Sequence, residues 1–261
     1  MRLAAATRSS SMSTAPDMTP QQERLSDTSA TGLSLYRSLA VGNASLLHFL
    51  GYELSQLVCA GVPGLLGLGL RSVFYRPLFR SCGRRPAIGR GVVLRIPKQI
   101  TLGSGVVLDD YATLDVRGDE AAIEIGDRAM IGRFATVAAK EGTISLGAGC
   151  NIGSYCRVAT NSRVQIGESV LLGAYCYIGP GNHQEGSEGQ PLISSPMQIC
   201  GGVSIGDHAW LGTRVTVLDG VKIGRHAIIG AHSLVKDDVP DFAVAVGSPA
   251  KVVRIRSGVT G

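Results

Sequence analysis

Aromatic side chains make up only 5% of this chain and charged ones only 17%. Any core must therefore be filled by aliphatic groups. The 44% hydrophobic content of 261 residues supplies enough of them for one large domain or two small ones. The six cysteines (Cys59, Cys82, Cys150, Cys156, Cys176 and Cys200) include no CxxC pair. Neither a disulfide framework nor a zinc site is indicated, and a reducing, cytoplasmic compartment fits. The basic residues form no long run and the formal charge is +5, which leaves no footprint for nucleic acid. Glycine is abundant instead: its 35 residues are about twice the usual share, which points to many tight turns.

Residues 1–32 are rich in Ser, Thr, Ala, Pro and Gln and carry no apolar period, so they read as a disordered tail. Their start, MRLAAATRSSSMSTAP, has a faint transit-peptide character, or reflects a start set too early, since Met12 and Met18 follow. Residues 33–80 form an apolar and basic helical segment. Leu46, Leu47, Phe49, Leu50, Leu54, Leu57 and Val58 recur at helical spacing, and Glu53 is the only formal charge between Arg37 and Arg71. The Pro and Gly residues of VPGLLGLGL argue against a plain spanning helix and for two helices joined at Pro63. Two roles stay open for this segment. It caps a core, or it rests on the inner face of a membrane whose anionic headgroups attract the arginines that follow.

From about residue 81 an aliphatic residue, position i, returns every six residues: Leu102, Leu108, Leu114; Ile125, Ile131, Val137; and onward to Ile223, Ile229, Val235. Position i+1 is usually Gly, and position i−2 is small or β-branched, as at Ala112, Ala129, Val170 and Ala227. Residues two apart on a strand share a face, so i and i−2 both point inward, and the glycine is expected to free the backbone for a corner. The beats group in threes, with extra residues between groups. That predicts a triangular prism of 18 residues per coil with its insertions at one corner. Cys150, Cys156 and Cys176 fall at i−2 and read as small core residues.

The pattern breaks once, at IGPGNHQEGSEGQPLISSPM (Ile178–Met197), which carries a lone histidine, His183. The repeat [LIV]-G-x-x-x-x resembles that of the hexapeptide-repeat transferases, whose fold is a left-handed parallel β-helix. The stretch GVSIGDHAWLGTRVTVLDGVKIGRHAIIGAHSLVKDDVPDFAVAVGSPAKVVR is similar to acetyl-CoA-dependent O-acetyltransferases of the maltose and polysaccharide kinds. The resemblance covers residues 81–254, followed by a tail at 255–261. It implies a mainly β enzyme, a homotrimer with acetyl-CoA between adjacent prisms and a sugar or glycan acceptor, and no metal. It also implies a catalytic loop, here 179–203, whose histidine is His183, with Asn182 beside it on the acceptor side. A sugar hydroxyl is a poor nucleophile near neutral pH, and a histidine can take its proton and return one to the departing thiolate. Glu185 or Glu188 either orients that imidazole or is a solvated loop acid. Cofactor contacts carry over to Trp210 and Thr213 in WLGT, Ala231 in GAHS, Lys236, and Lys251 and Arg254 in GSPAKVVR, with cations suited to the CoA phosphates. The chain departs from the family at VKDD (Val235–Asp238), where the family often reads VTKD.

Three further histidines, His208, His226 and His232, each lie three residues after a position i. His208 and His226 are one coil apart and should stack about 5 Å from each other. Such stacking keeps a zinc-binding, carbonic-anhydrase-like protein as an alternative. A non-catalytic scaffold subunit and an acyl-carrier-protein-dependent acyltransferase are others, although the latter usually end in a helical domain.

Overall fold

A computed structural model describes residues 31–179, 182, 183, 195 and 197–257. Three helices precede the repeat: α1 (Gly32–Val41), α2 (Leu46–Cys59) and α3 (Gly64–Phe74). Thr31 and Ser45 cap α1 and α2, their side chains accepting from the Ser34 and His48 amides at 3.2 Å. Pro63 stands at the start of α3, where a missing N–H costs nothing.

The remainder is a three-faced β-solenoid. The first face stacks seven parallel strands, from Ser81–Cys82 to Lys222–Ile223. The second begins at Ala87–Ile88 and holds nine, ending in an antiparallel pair, Ala243–Gly247 with Ala250–Ile255. The third stacks seven, from Val93–Arg95 to Leu234–Val235. The predicted inward positions are all buried. Every i residue from Leu102 to Val235 is at most 2% exposed, and the i−2 set, Cys150, Cys156 and Cys176 included, at most 1%. Burial in this aliphatic interior pushes the Cys150 thiol up to about 12, in keeping with a packing role.

The glycines at i+1 have a different purpose from the one the sequence suggests. Their φ is not positive. A Cβ at Gly173 would meet the Thr213 amide nitrogen at 2.7 Å and the Gly212 carbonyl carbon at 2.9 Å. Glycine is needed because the coil above rests on it. The left-handed backbone comes two residues later, at i+3, at every corner between the first and second or the second and third faces. Most residues there are not glycine: Arg85, Tyr111, Arg128, Phe134, Tyr155 and Tyr175 have φ of 52–62°. Hydrogen bonds such as Cys156 N–H to Gly153 O (3.3 Å) close these corners as β-turns.

A left-handed L-residue costs about 1–2 kcal/mol. At the second corner the cost is offset by stacking. Tyr111, Phe134, Tyr155 and Tyr175 form a column with ring centroids 5.1, 5.0 and 4.9 Å apart, and the Arg214 guanidinium lies 5.4 Å over the last ring. Extra residues enter at the third corner instead: the turn Pro97–Gln99, residues 117–121, 140–142 and 161–162, and the long insertion after Ile178.

The helices close the open end of the first coil and share its core through Phe49, Tyr52, Cys59 and Tyr75. Tyr52 Oη donates to the Leu94 carbonyl at 2.9 Å, and Ser72 Oγ to that of Pro86 at 2.8 Å. Arg71, 3% exposed, donates to the carbonyls of Ile88 (2.7 Å), Cys59 (3.0 Å) and Val62 (2.8 Å). Cys59 ends α2, so this buried cation also meets the negative end of that helix.

Candidate functional site

The insertion leaves the third face after Tyr177–Ile178 and returns to the first at Val203–Ile205. Within it Asn182–His183 pairs antiparallel with Met197–Gln198, with His183 opposite Met197. Glu185 and Glu188 lie outside the described residues. The returning limb is clasped by Asp219, whose carboxylate accepts from the amides of Cys200 (2.6 Å), Gly202 (2.7 Å) and Gly220 (2.9 Å). Gly202, at φ 93°, sits so close to the coil before it that a Cβ would lie 2.1 Å from the Arg163 carbonyl oxygen. The base of the insertion is thereby fixed to the prism.

The residues expected around a cofactor fall into three groups. Thr213 and Ala231 are exposed and one coil apart at the second corner, where a Cβ on Gly212 would strike the Ala231 amide at 2.6 Å. Trp210 is 50% exposed on the outer side of the second face. It pairs with Ile228, Ile228 with Val244, and Val244 with Arg254, so Arg254 lies three strands away, about 14 Å by strand spacing. Lys236 and Lys251 meet at Asp237, at 3.6 and 3.3 Å. The hydrogen bond from Lys251 is the main reason the Asp237 carboxyl is held below the usual range. The departure from the family motif at VKDD thus supplies the carboxylate that collects both lysines. Within one chain His183 springs from the third corner, whereas Thr213 and Ala231 line the second.

His208 and His226 stack with ring centroids 4.7 Å apart, as their spacing requires, and Phe242 covers the other side of His226 at 4.9 Å. Among the described residues no three His, Cys, Asp or Glu side chains converge to hold a metal ion. Sequence reasoning missed the aromatic column and the Asp219 clasp. The column had a signal, since its rings occupy the i+3 position at which the histidines were noticed. The clasp had none, because a corner aspartate looks the same whether or not it accepts amides from another segment.

The profile of the bacterial transferase hexapeptide family (six repeats) matches residues 202–237. A Mycobacterium tuberculosis protein named a probable acetyltransferase is 36% identical over 162 residues, covering 60% of this chain and 50% of that protein. An Escherichia coli K12 protein, assigned by name to lipopolysaccharide biosynthesis as the O-acetyl transferase WbbJ, is 32% identical over 43% of this chain and 61% of its own length. The chain therefore spans about half to three-fifths of these relatives. Among solved structures, the polysialic-acid-specific acetyltransferase NeuO superposes with a TM-score of 0.50 at 22% identity, over 69% of this chain and 78% of that one, a likeness of fold. With its repeat, three-faced coil and relatives taken together, the chain is a hexapeptide-repeat β-solenoid of the kind found in acetyltransferases.

Proposed function

We propose that the protein transfers an acetyl group from acetyl-CoA to a hydroxyl of a sugar or polysaccharide precursor, with His183 as general base and no covalent enzyme intermediate. The observation that carries this reading is the placement of the one long insertion. Its single histidine, on an extended segment paired with Met197–Gln198, leaves the prism one coil before Trp210 and Thr213. The names of the two sequence relatives support the reaction class, and lipopolysaccharide biosynthesis in one of them supports a glycan acceptor.

In the proposed reaction the acceptor oxygen attacks the thioester carbonyl carbon while the His183 imidazole takes the hydroxyl proton. The tetrahedral oxyanion collapses, the C–S bond breaks, and the imidazolium protonates the CoA thiolate. Asn182 contacts the acceptor. Trp210, Thr213 and Ala231 flank the cofactor, and Lys236, Lys251 and Arg254 face its phosphates, with Asp237 holding the two lysines ready. The separation of His183 from the second-corner residues supports a site shared between neighbouring copies, and hence a homotrimer. All six cysteines are free, which fits the cytoplasm.

His183→Ala is expected to lower kcat by about 10²–10⁴-fold. Its affinity for CoA and its mass in solution should match the parent. Undiminished turnover in that variant removes the proposal, and a panel of sugars, nucleotide sugars and amino acids identifies the acceptor.

A further inference from the structure

The helical segment presents two unlike faces. Its inner face is part of the prism core, through Phe49, Tyr52 and Cys59. Its outer face is almost wholly aliphatic and open: Leu47 is 81% exposed, Leu57 and Leu65 are both 85%, Leu66 is 69% and Val73 is 66%. On α2 the exposed residues Leu47, Leu50, Leu54 and Leu57 recur every three or four positions, and on α3 Leu65 and Val73 lie two turns apart. Both stripes therefore run along single helix faces turned away from the prism. An apolar surface of this extent is a contact surface in waiting.

The charge around it identifies the occupant. Residues 31–98 hold nine Arg and Lys against the single Glu53, a net +8, whereas the whole chain is +5. Glu53 is engaged, accepting from Tyr36 Oη at 2.7 Å. The basic residues are also placed symmetrically. The first coil carries Arg84 and Arg85 at its first corner, Arg90 at its second and Lys98 at its third, all exposed. None of the ion pairs among the described residues involves these four. A leucine-covered cap is thus ringed by cations one layer beneath it. No helix among the described residues is long and apolar enough to cross a membrane.

We propose that the end of the prism closed by α1–α3 docks on an anionic lipid bilayer. The leucines of α2 and α3 enter the interface, and the cations of the first coil lie at the depth of the headgroups. The prism axis would then stand away from the surface, leaving the coils around the insertion free to meet an acceptor at or near the membrane. The docking does not depend on the catalytic proposal. The two roles that the sequence left open for residues 33–80 become the two sides of one layer.

The test is co-sedimentation of the full chain with vesicles of phosphatidylcholine alone and with about 30% phosphatidylglycerol. Binding should be at least about tenfold stronger to the anionic vesicles and should weaken severalfold as salt rises from about 50 to 300 mM. Leu47→Ser/Leu57→Ser/Leu65→Ser replaces side chains that are more than 80% exposed, so its melting curve should match the parent. That variant should lose at least about tenfold in vesicle binding. Arg84→Gln/Arg85→Gln/Arg90→Gln should bind both vesicle types alike, with the salt dependence gone. The proposal is overturned if the parent ignores anionic vesicles, binds neutral ones equally well, or binds unchanged after the leucine substitutions. It is also overturned if those substitutions alter only the oligomeric state in solution, which would make the cap a protein interface.

Discussion

The second and third corners of the prism are made by the same repeating chain, yet they are built for opposite purposes. At the second, every coil turns in the same number of residues, a glycine is pressed against the next coil, and a left-handed residue follows, in four successive coils with an aromatic ring. At the third, the coils accept additions of two, three or five residues at 161–162, 140–142 and 117–121, and one accepts the whole segment that carries His183. The difference lies in what the neighbouring coil touches. Where backbone rests on backbone at 2.7 Å from an imagined Cβ, nothing can be added. Where the turn swings outward into solvent, added length costs only loop entropy, about 0.6 kcal/mol per doubling. A repeat that is rigid at two corners can carry variable chemistry at the third.

The contrast is most easily broken at Gly173. Gly173→Ala places a Cβ against the backbone of Thr213, and it should cost about 3 kcal/mol or more in a denaturant titration, since neither coil can retreat without parting from its other neighbours. Two residues inserted between Asp119 and Glu120, both exposed at the third corner, should cost less than about 1 kcal/mol. Equal costs at the two sites would mean that the corners do not differ in kind.

Asp219 sharpens the comparison, because it is where the permissive corner is made firm. Asp219→Ala frees the Cys200 and Gly202 amides and loosens the base of the insertion. We expect kcat to fall by about 30-fold while stability changes little. Asp219→Asn keeps one acceptor oxygen and should recover part of the rate. A global loss of stability without a change in kcat would make Asp219 part of the scaffold.

Much of the molecule was legible because the solenoid is nearly one-dimensional. Each coil contacts only its neighbours, so the six-residue beat sets the strands, the inward residues and the corner that takes insertions. Cys150 could be placed in the core from its position two residues before Ile152 alone. The stacking of His208 on His226 followed from a separation of one coil. What could not be read were contacts that leave the period. Arg71, in an apolar helix, gives no sign in sequence that it will find three carbonyls on separate segments. Asp237 was visible as a departure from a motif but not as the partner of Lys251, which reaches it through the turn of the final hairpin. The glycines were located correctly and explained wrongly, because one strand in isolation does not reveal that another coil lies against it.

The finest test concerns what holds the second corner. Tyr155 has φ 60° and its ring lies between Phe134 and Tyr175, at 5.0 and 4.9 Å. Ser169, at the first corner of the next coil, has φ 51° and no ring to stack. If stacking offsets the left-handed backbone at Tyr155, Tyr155→Ala loses the rings and keeps the strain, and should destabilise by about 1 kcal/mol. Tyr155→Gly loses the rings but removes the strain, and should fall between alanine and the parent. At Ser169 the order changes, since nothing is lost with the side chain: Ser169→Gly should stabilise by up to about 1 kcal/mol. If Tyr155→Gly proves more stable than the parent, the aromatic column is a consequence of the corner and not its support, and the rigidity of that edge must be credited to the glycine contacts alone.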